Sequence, residues 1–165
     1  MSWGRKPKAA DGPEPTAYQR ALGLLVRREH SRKELGRKLL SKGVDRDDLD
    51  LALEKLRRQD FQNDARFAAA LARSRSSSGY GPARIRAELA QHGLSRDDVA
   101  TALEACASDW DAAASQLARR RYAGKDLRDP VLRRKAVDFL LRRGFDQRSA
   151  YAAVNARHGE DEAFD

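Results

Sequence analysis

Apolar residues recur at three- and four-residue intervals along most of the chain, and the pattern itself repeats. Aligned on Gly43, Gly93 and Gly144, which stand 50 and 51 residues apart, a leucine lies four residues earlier each time: Leu39, Leu89 and Leu140. Eight residues earlier stand Leu35, Ile85 and Ala136. Six later come Leu49, Val99 and Ala150, nine later Ala52, Ala102 and Ala153, and ten later Leu53, Leu103 and Val154. This spacing predicts two amphipathic helices on either side of a tight turn, three times over. Repeat arrays of this kind present surfaces more than pockets.

The turn has its own chemistry. Glycine suits the left-handed residue that ends a helix. Two residues later Asp45, Ser95 or Asp146 is placed to cap the next helix. Asp45 with Asp48, and Ser95 with Asp98, resemble capping boxes with Asp in place of Glu. Val44/Leu49 and Leu94/Val99 are spaced as hydrophobic staples, and Phe145/Ala150 is a weaker version.

A further amphipathic helix precedes each pair, near 17–29, 64–76 and 109–122. The first carries Tyr18, Leu22, Leu25 and Val26 on its apolar side, the second Phe67, Ala70 and Leu71, the third Trp110, Ala114 and Leu117. His30-Ser31, Gly81-Pro82 and Asp129-Pro130 open the middle helices, where a proline in the first turn removes no needed donor. No stretch alternates as a strand does. The expected fold is all-α: three tandem three-helix, helix-turn-helix-like repeats in an elongated, curved array. The units are expected at 16–60, 61–108 and 109–159, flanked by a disordered basic, proline-rich head at 1–15 and an acidic tail at 160–165. A unit of this size has a small core, so neighbours are expected to lean on one another.

Composition narrows the function. No apolar run is long enough to span a membrane, and the first residues have no apolar core of a signal peptide. A single cysteine, Cys106, excludes an internal disulfide framework. These features predict a cytoplasmic protein. The net charge is +8, and most of the cations lie in the repeats while Glu160-Asp161-Glu162 and Asp165 close the chain. A basic helical array points to a polyanionic partner, nucleic acid or an acidic protein surface.

Catalysis has no motif to rest on. There is no phosphate loop, GxGxxG, HExxH or CxxC, so neither an enzyme nor a cofactor is expected. His30, His92 and His158 lack metal spacing. His92 and His158 each precede a glycine, where a cation or donor favours a helix end. Cys106 reads as a small core residue, and Ser74 with Ser76–Ser78 as a flexible loop or fraying helix end. Tyr80, between Gly79 and Gly81, reads first as a loop anchor on the core and second as a base-stacking ring. Trp110, Tyr122 and Tyr151 sit at helical spacing and read as core.

The helix-turn-helix spacing invites a sequence-specific DNA-binding regulator. The third helices, however, begin with Asp45, Asp47, Asp48 and Asp50, or with Asp97 and Asp98, which cap and suit the helix dipole but repel phosphate. Gln147 and Arg148 in the third unit are less hostile. The cations cluster elsewhere. Candidate partner- or nucleic-acid-binding residues are Arg27, Arg28, Arg32 and Lys33; Arg73, Arg75, Arg84 and Arg86; and Arg133, Arg134, Arg142 and Arg143.

The middle unit is the most distinctive. Phe61-Gln62-Asn63-Asp64-Ala65-Arg66-Phe67-Ala68, then Ser74-Arg75, then Gly79-Tyr80-Gly81-Pro82-Ala83-Arg84-Ile85-Arg86-Ala87-Glu88-Leu89 and Gly93 closely resemble the RecX family. Ser31-Arg32-Lys33-Glu34-Leu35, Lys38-Leu39 and Gly43 look like that family's opening repeat, and Lys135 with Phe139-Leu140-Leu141-Arg142-Arg143-Gly144-Phe145 like its last. The resemblance covers about 16–159. It implies a monomeric, non-enzymatic protein that lies in the groove of the RecA filament on single-stranded DNA. It also implies inhibition of recombinase, ATPase and coprotease activities, with weak direct DNA contact. Two alternatives stay open: the sequence-specific regulator, and a helical adaptor for another acidic protein.

Overall fold

The computed structural model describes residues 12–106 and 109–162, with side chains as far as residue 156. Among them are nine helices and no strand. Unit 1 contains α1 (Ala17–Leu25), α2 (Arg32–Leu40) and α3 (Arg46–Arg58). Unit 2 contains α4 (Asp64–Ser77), α5 (Pro82–Gln91) and α6 (Arg96–Cys106). Unit 3 contains α7 (Trp110–Arg121), α8 (Pro130–Arg143) and α9 (Gln147–Glu162). In each unit the first and third helices pack most closely, and the middle helix closes the bundle. Alanines allow the close approach: Ala21 and Ala52, Ala68 and Ala102, Ala114 and Ala150 are all buried.

Each unit has its own core. Leu35, Leu39, Leu49, Leu53 and Leu56 fill the first. Phe67, Ile85, Leu89, Val99 and Leu103 fill the second. Leu117, Val137, Leu140, Phe145 and Val154 fill the third. Trp110 packs against both the second and the third core and links them.

The three frame glycines adopt the left-handed backbone, with φ of 80° at Gly43, 71° at Gly93 and 96° at Gly144. Val44 N–H donates to Leu39 O at 3.2 Å and Phe145 N–H to Leu140 O at 3.2 Å, the wrap-around bond that closes a helix end. Caps form as the turn chemistry predicts, but the boxes do not. Asp45 accepts from Asp47 N–H at 2.8 Å, one residue short of Asp48. Ser95 accepts from Asp98 N–H at 3.0 Å and donates its hydroxyl to the Asp98 carboxylate at 2.8 Å, so Asp98 does not reach back to the Ser95 backbone. An Asp side chain is one methylene too short for that return. The full box occurs where the side chain is longer, between Thr16 and Gln19.

Four other expectations change. Helix α1 stops at Leu25 and Val26 is 81% exposed, so Arg27, Arg28 and Glu29 lie in the turn that hands the chain to α2. Tyr151 is 55% exposed, because α9 turns Ala150, Ala153 and Val154 to the core instead. Helix α9 runs through Gly159 to Glu162, so His158 does not mark a helix end. The serines end α4 in regular fashion, with Ser77 its last residue and Ser78 its cap. The head residues 1–11 lie outside the described residues, as do 107–108 and 163–165.

Candidate interaction surface

The basic candidates separate into those already engaged and those left free. Arg28 donates to the Glu34 carboxylate at 2.5 and 3.2 Å. Lys38 meets the same carboxylate at 3.0 Å, and the His30 ring lies 3.7 Å from it. Burial alone would raise the Glu34 pKa. The hydrogen bonds from Arg28 and Lys38, with the charge of His30, hold it instead at about 2. Arg75 forms a two-pronged pair with Glu88 at 2.7 and 2.6 Å, which pulls the Glu88 carboxyl below its ordinary value. The Arg32 guanidinium is 3.9 Å from Glu54, and its backbone N–H donates to Asp64 at 2.8 Å.

Arg143 is engaged differently. Its guanidinium lies 4.9 Å from the Tyr80 ring and 5.1 Å from the Phe139 ring, and it donates to Ser78 O at 3.2 Å. Arg84 lies on the Tyr80 ring as well, at 5.9 Å. Tyr80 therefore packs against the unit-2 core and carries two arginines at the boundary with unit 3.

The remaining candidates, Arg27, Lys33, Arg73, Arg86, Arg133, Arg134 and Arg142, are exposed, and no ion pair to them is seen among the described residues. Lys33 sits on α2, Arg86 on α5, and Arg133, Arg134 and Arg142 on α8. The middle helix of every unit thus presents unpaired cations. The first turns of α3 and α6 present Asp47, Asp48, Asp97 and Asp98. In α9 the Arg148 guanidinium is bound 2.9 Å from Asp111.

The middle helices also meet end to end. Gly81 N–H, before α5, donates to Arg143 O at 2.8 Å, and Ala83 N–H to Gly144 O at 3.0 Å. At the other end of α5, His92 Nδ1 is 2.8 Å from Ser31 Oγ, the cap of α2. His92 also packs on Phe67, with ring centroids 4.6 Å apart. Burial holds its imidazole below the ordinary histidine value, against the pull of Glu34 and Glu88. It is a joint residue and not a dipole-stabilising cation. His30 is 2% exposed, and burial lowers its pKa too.

An open cleft of about 560 Å³ lies between units 1 and 2. Its charged lining is spent internally: Arg28 on Glu34, Arg75 on Glu88, Glu29 on Arg66. Cys106 is half-buried at the edge of the second core; it donates to Leu103 O, and burial raises its thiol pKa. Among the described residues no three His, Cys, Asp or Glu side chains converge on a metal-sized site. None of the described helices is long and apolar enough to cross a membrane.

Sequence reasoning missed three partners: Glu34, Glu88 and His92. Glu34 has a local signal in its i,i+4 spacing to His30 and Lys38; Glu88 and His92 have none, because Arg75 and Glu88 lie on different helices and Ser31 and His92 in different units.

Residues 17–56 match the family description "RecX, first three-helix domain", residues 63–103 "RecX, second three-helix domain", and residues 108–154 "RecX, third three-helix domain". The chain belongs to the RecX family. A relative named Regulatory protein RecX from Xanthomonas axonopodis pv. citri (strain 306) is 52% identical over 141 residues, 86% of this chain and 87% of the relative. Another of that name, from Stenotrophomonas maltophilia (strain R551-3), is 50% identical over 133 residues, 81% of this chain and 82% of the relative. A crystal structure of regulatory protein RecX superposes with a TM-score of 0.70 at 26% identity, covering 85% of this chain and 70% of that one. The RecX structure from Lactobacillus salivarius shares the fold, with a TM-score of 0.70 at 24% identity over 85% of this chain and 93% of that one. Membership of the RecX family makes this a regulatory protein, and its all-helical three-domain array is the family's.

Proposed function

We propose that the protein binds the RecA filament on single-stranded DNA and lowers its recombinase, ATPase and coprotease activities. The observation that carries this reading is the repeated placement of unpaired cations on the middle helices, as in Lys33, Arg86 and Arg134. A periodic basic face suits a periodic polyanionic partner, and weak contacts to successive protomers add through multivalency. The cations meet acidic protein surface, exposed phosphate, or both. The acidic first turns of α3 and α6 weigh against a groove-reading regulator, because the end that would enter the groove repels phosphate.

The test is a titration of this protein into RecA on single-stranded DNA at two salt concentrations, with ATP hydrolysis as readout. Falling hydrolysis with added protein, weaker at high salt, is expected. Unchanged hydrolysis together with no filament binding would reject the proposal. Strong preference for one duplex sequence would favour the groove-reading regulator, and co-purification with an unrelated acidic protein the adaptor.

A further inference from the structure

The two junctions between units use register-equivalent positions but different chemistry. Ser31 and Gly81 each precede their frame glycine by twelve residues, and each caps a middle helix. Ser31 meets the next unit through a side chain, the His92 ring. Gly81 has no side chain, and its helix has no side-chain cap. The α8 terminus supplies the acceptors instead. Arg143 O and Gly144 O take the N–H groups of Gly81 and Ala83, so orphan donors of one helix satisfy orphan acceptors of another. Apart from the bonds of Phe61 and Gln62 N–H to Leu56 O, where the chain itself passes from α3 to α4, these are the only backbone–backbone bonds between units among the described residues.

The fit leaves no slack. A Cβ on Gly81 would lie 2.5 Å from the Gly144 carbonyl carbon and oxygen and from Phe145 N. A Cβ on Gly144 would lie 2.5 Å from the backbone nitrogen of Arg84, at a φ of +96° that already disfavours side chains. Arg143 pins the same seam from outside, through Tyr80, Phe139 and Ser78. Trp110 pins it a second time by touching both cores.

We infer that units 2 and 3 are spliced by the Gly81–Gly144 clasp into one rigid body, which holds the cations of α5 and α8 as a single surface. Arg143 is then a positioning residue, while Arg86, Arg134 and Arg142 make the contacts. Unit 1 rides separately on joints that each use a side chain: Ser31 with His92, the Arg32 N–H on the Asp64 carboxylate, and Glu29 with Arg66. The clasp stands on its own geometry; its service to binding rests on the proposed function.

The experiment uses full-length protein with Cys106→Ala and spin labels on exposed positions. A Glu104→Cys/Asp138→Cys pair spans units 2 and 3, and a Lys42→Cys/Glu104→Cys pair spans units 1 and 2. The first pair should give the narrower distance distribution. Gly81→Ala should broaden it about twofold, leave the second pair unchanged, and weaken filament binding about tenfold as joined sites come apart. Arg143→Ala, which needs no new atom in the clasp, should broaden it less, and Arg143→Lys should restore it by keeping a cation on the rings. An unchanged first pair in both Gly81→Ala and Arg143→Ala would overturn the clasp. Broadening without loss of affinity would overturn the single surface. If the unmodified protein bound no filament while Gly81→Ala still broadened the distribution, the proposed function would fall and the clasp would stand.

Discussion

Glu34 shows how much one buried carboxylate depends on its neighbours. It is 7% exposed and held at about 2 by Arg28 and Lys38 after burial has pushed the other way. Because its folded value lies below the unfolded one, its contribution is complete above the ordinary glutamate value of 4.5 and fades as pH falls toward 2. Glu34→Gln should cost about 2 kcal/mol, the size of a hydrogen bond to a charged group, read by urea unfolding at neutral pH. His30 and His92 act higher on the pH scale. Both are bases whose folded values are depressed by burial. Their stabilising effect is therefore present above the unfolded value of 6.5 and is lost as pH falls through the folded values. His92 faces Glu34, Lys33 and Arg37 from α2 and Glu88 from α5. Arg28, Glu29 and Arg75 share its cleft, and Asp64 lies on its other side. Thermal stability should decline as pH falls below 6.5, and His30→Gln/His92→Gln should flatten most of that decline. An equally steep decline in the double variant would place the proton uptake elsewhere.

At the scale of elements, much was legible because helix ends are local. Glycine, one apolar residue and a cap stand together in sequence, so Gly43-Val44-Asp45 carries its own instruction, and so do its two repeats. The end of α1 was less legible. Leu25 and Val26 continue the apolar pattern, yet only Leu25 packs against the core, and Val26 is left in solvent. Capping boxes failed for a reason of length, which separates Asp from Glu or Gln. Ion pairs such as Arg75–Glu88 were not legible, since they join different helices across a bundle face. The equal frame nonetheless hides unequal glycines. Gly43 has nothing within 4 Å of where a Cβ would stand, whereas Gly144 faces Arg84. Gly43→Ala should then cost about 1 kcal/mol, the left-handed penalty alone. Gly144→Ala should cost at least twice that, because backbone must move as well. Equal losses in chemical denaturation would mean that the seam around Gly144 yields freely.

For the whole molecule, the division between paired and free cations decides what a charge substitution can do. Arg28 and Arg75 hold carboxylates within the fold, so their removal leaves Glu34 with Lys38 alone or strands Glu88. Lys33, Arg86 and Arg134 hold nothing among the described residues, so their removal leaves the fold intact. A basic patch in the sequence shows neither class, because both consist of the same residue types at similar helical positions. Filament binding across a salt series separates them. Each of Lys33→Ala, Arg86→Ala and Arg134→Ala should leave the melting temperature within a degree or two, as surface substitutions do. Each should also shallow the plot of log affinity against log salt, by roughly 0.7 for every single-strand phosphate contact removed. Arg75→Ala should lower the melting temperature and leave the slope alone. A shallower slope in Arg75→Ala, with Arg86→Ala unaffected, would move the binding face from the free cations to the cleft between units 1 and 2. A drop in affinity with no change of slope in the free-cation variants would assign those cations to acidic protein surface, where few counterions are released, and not to DNA.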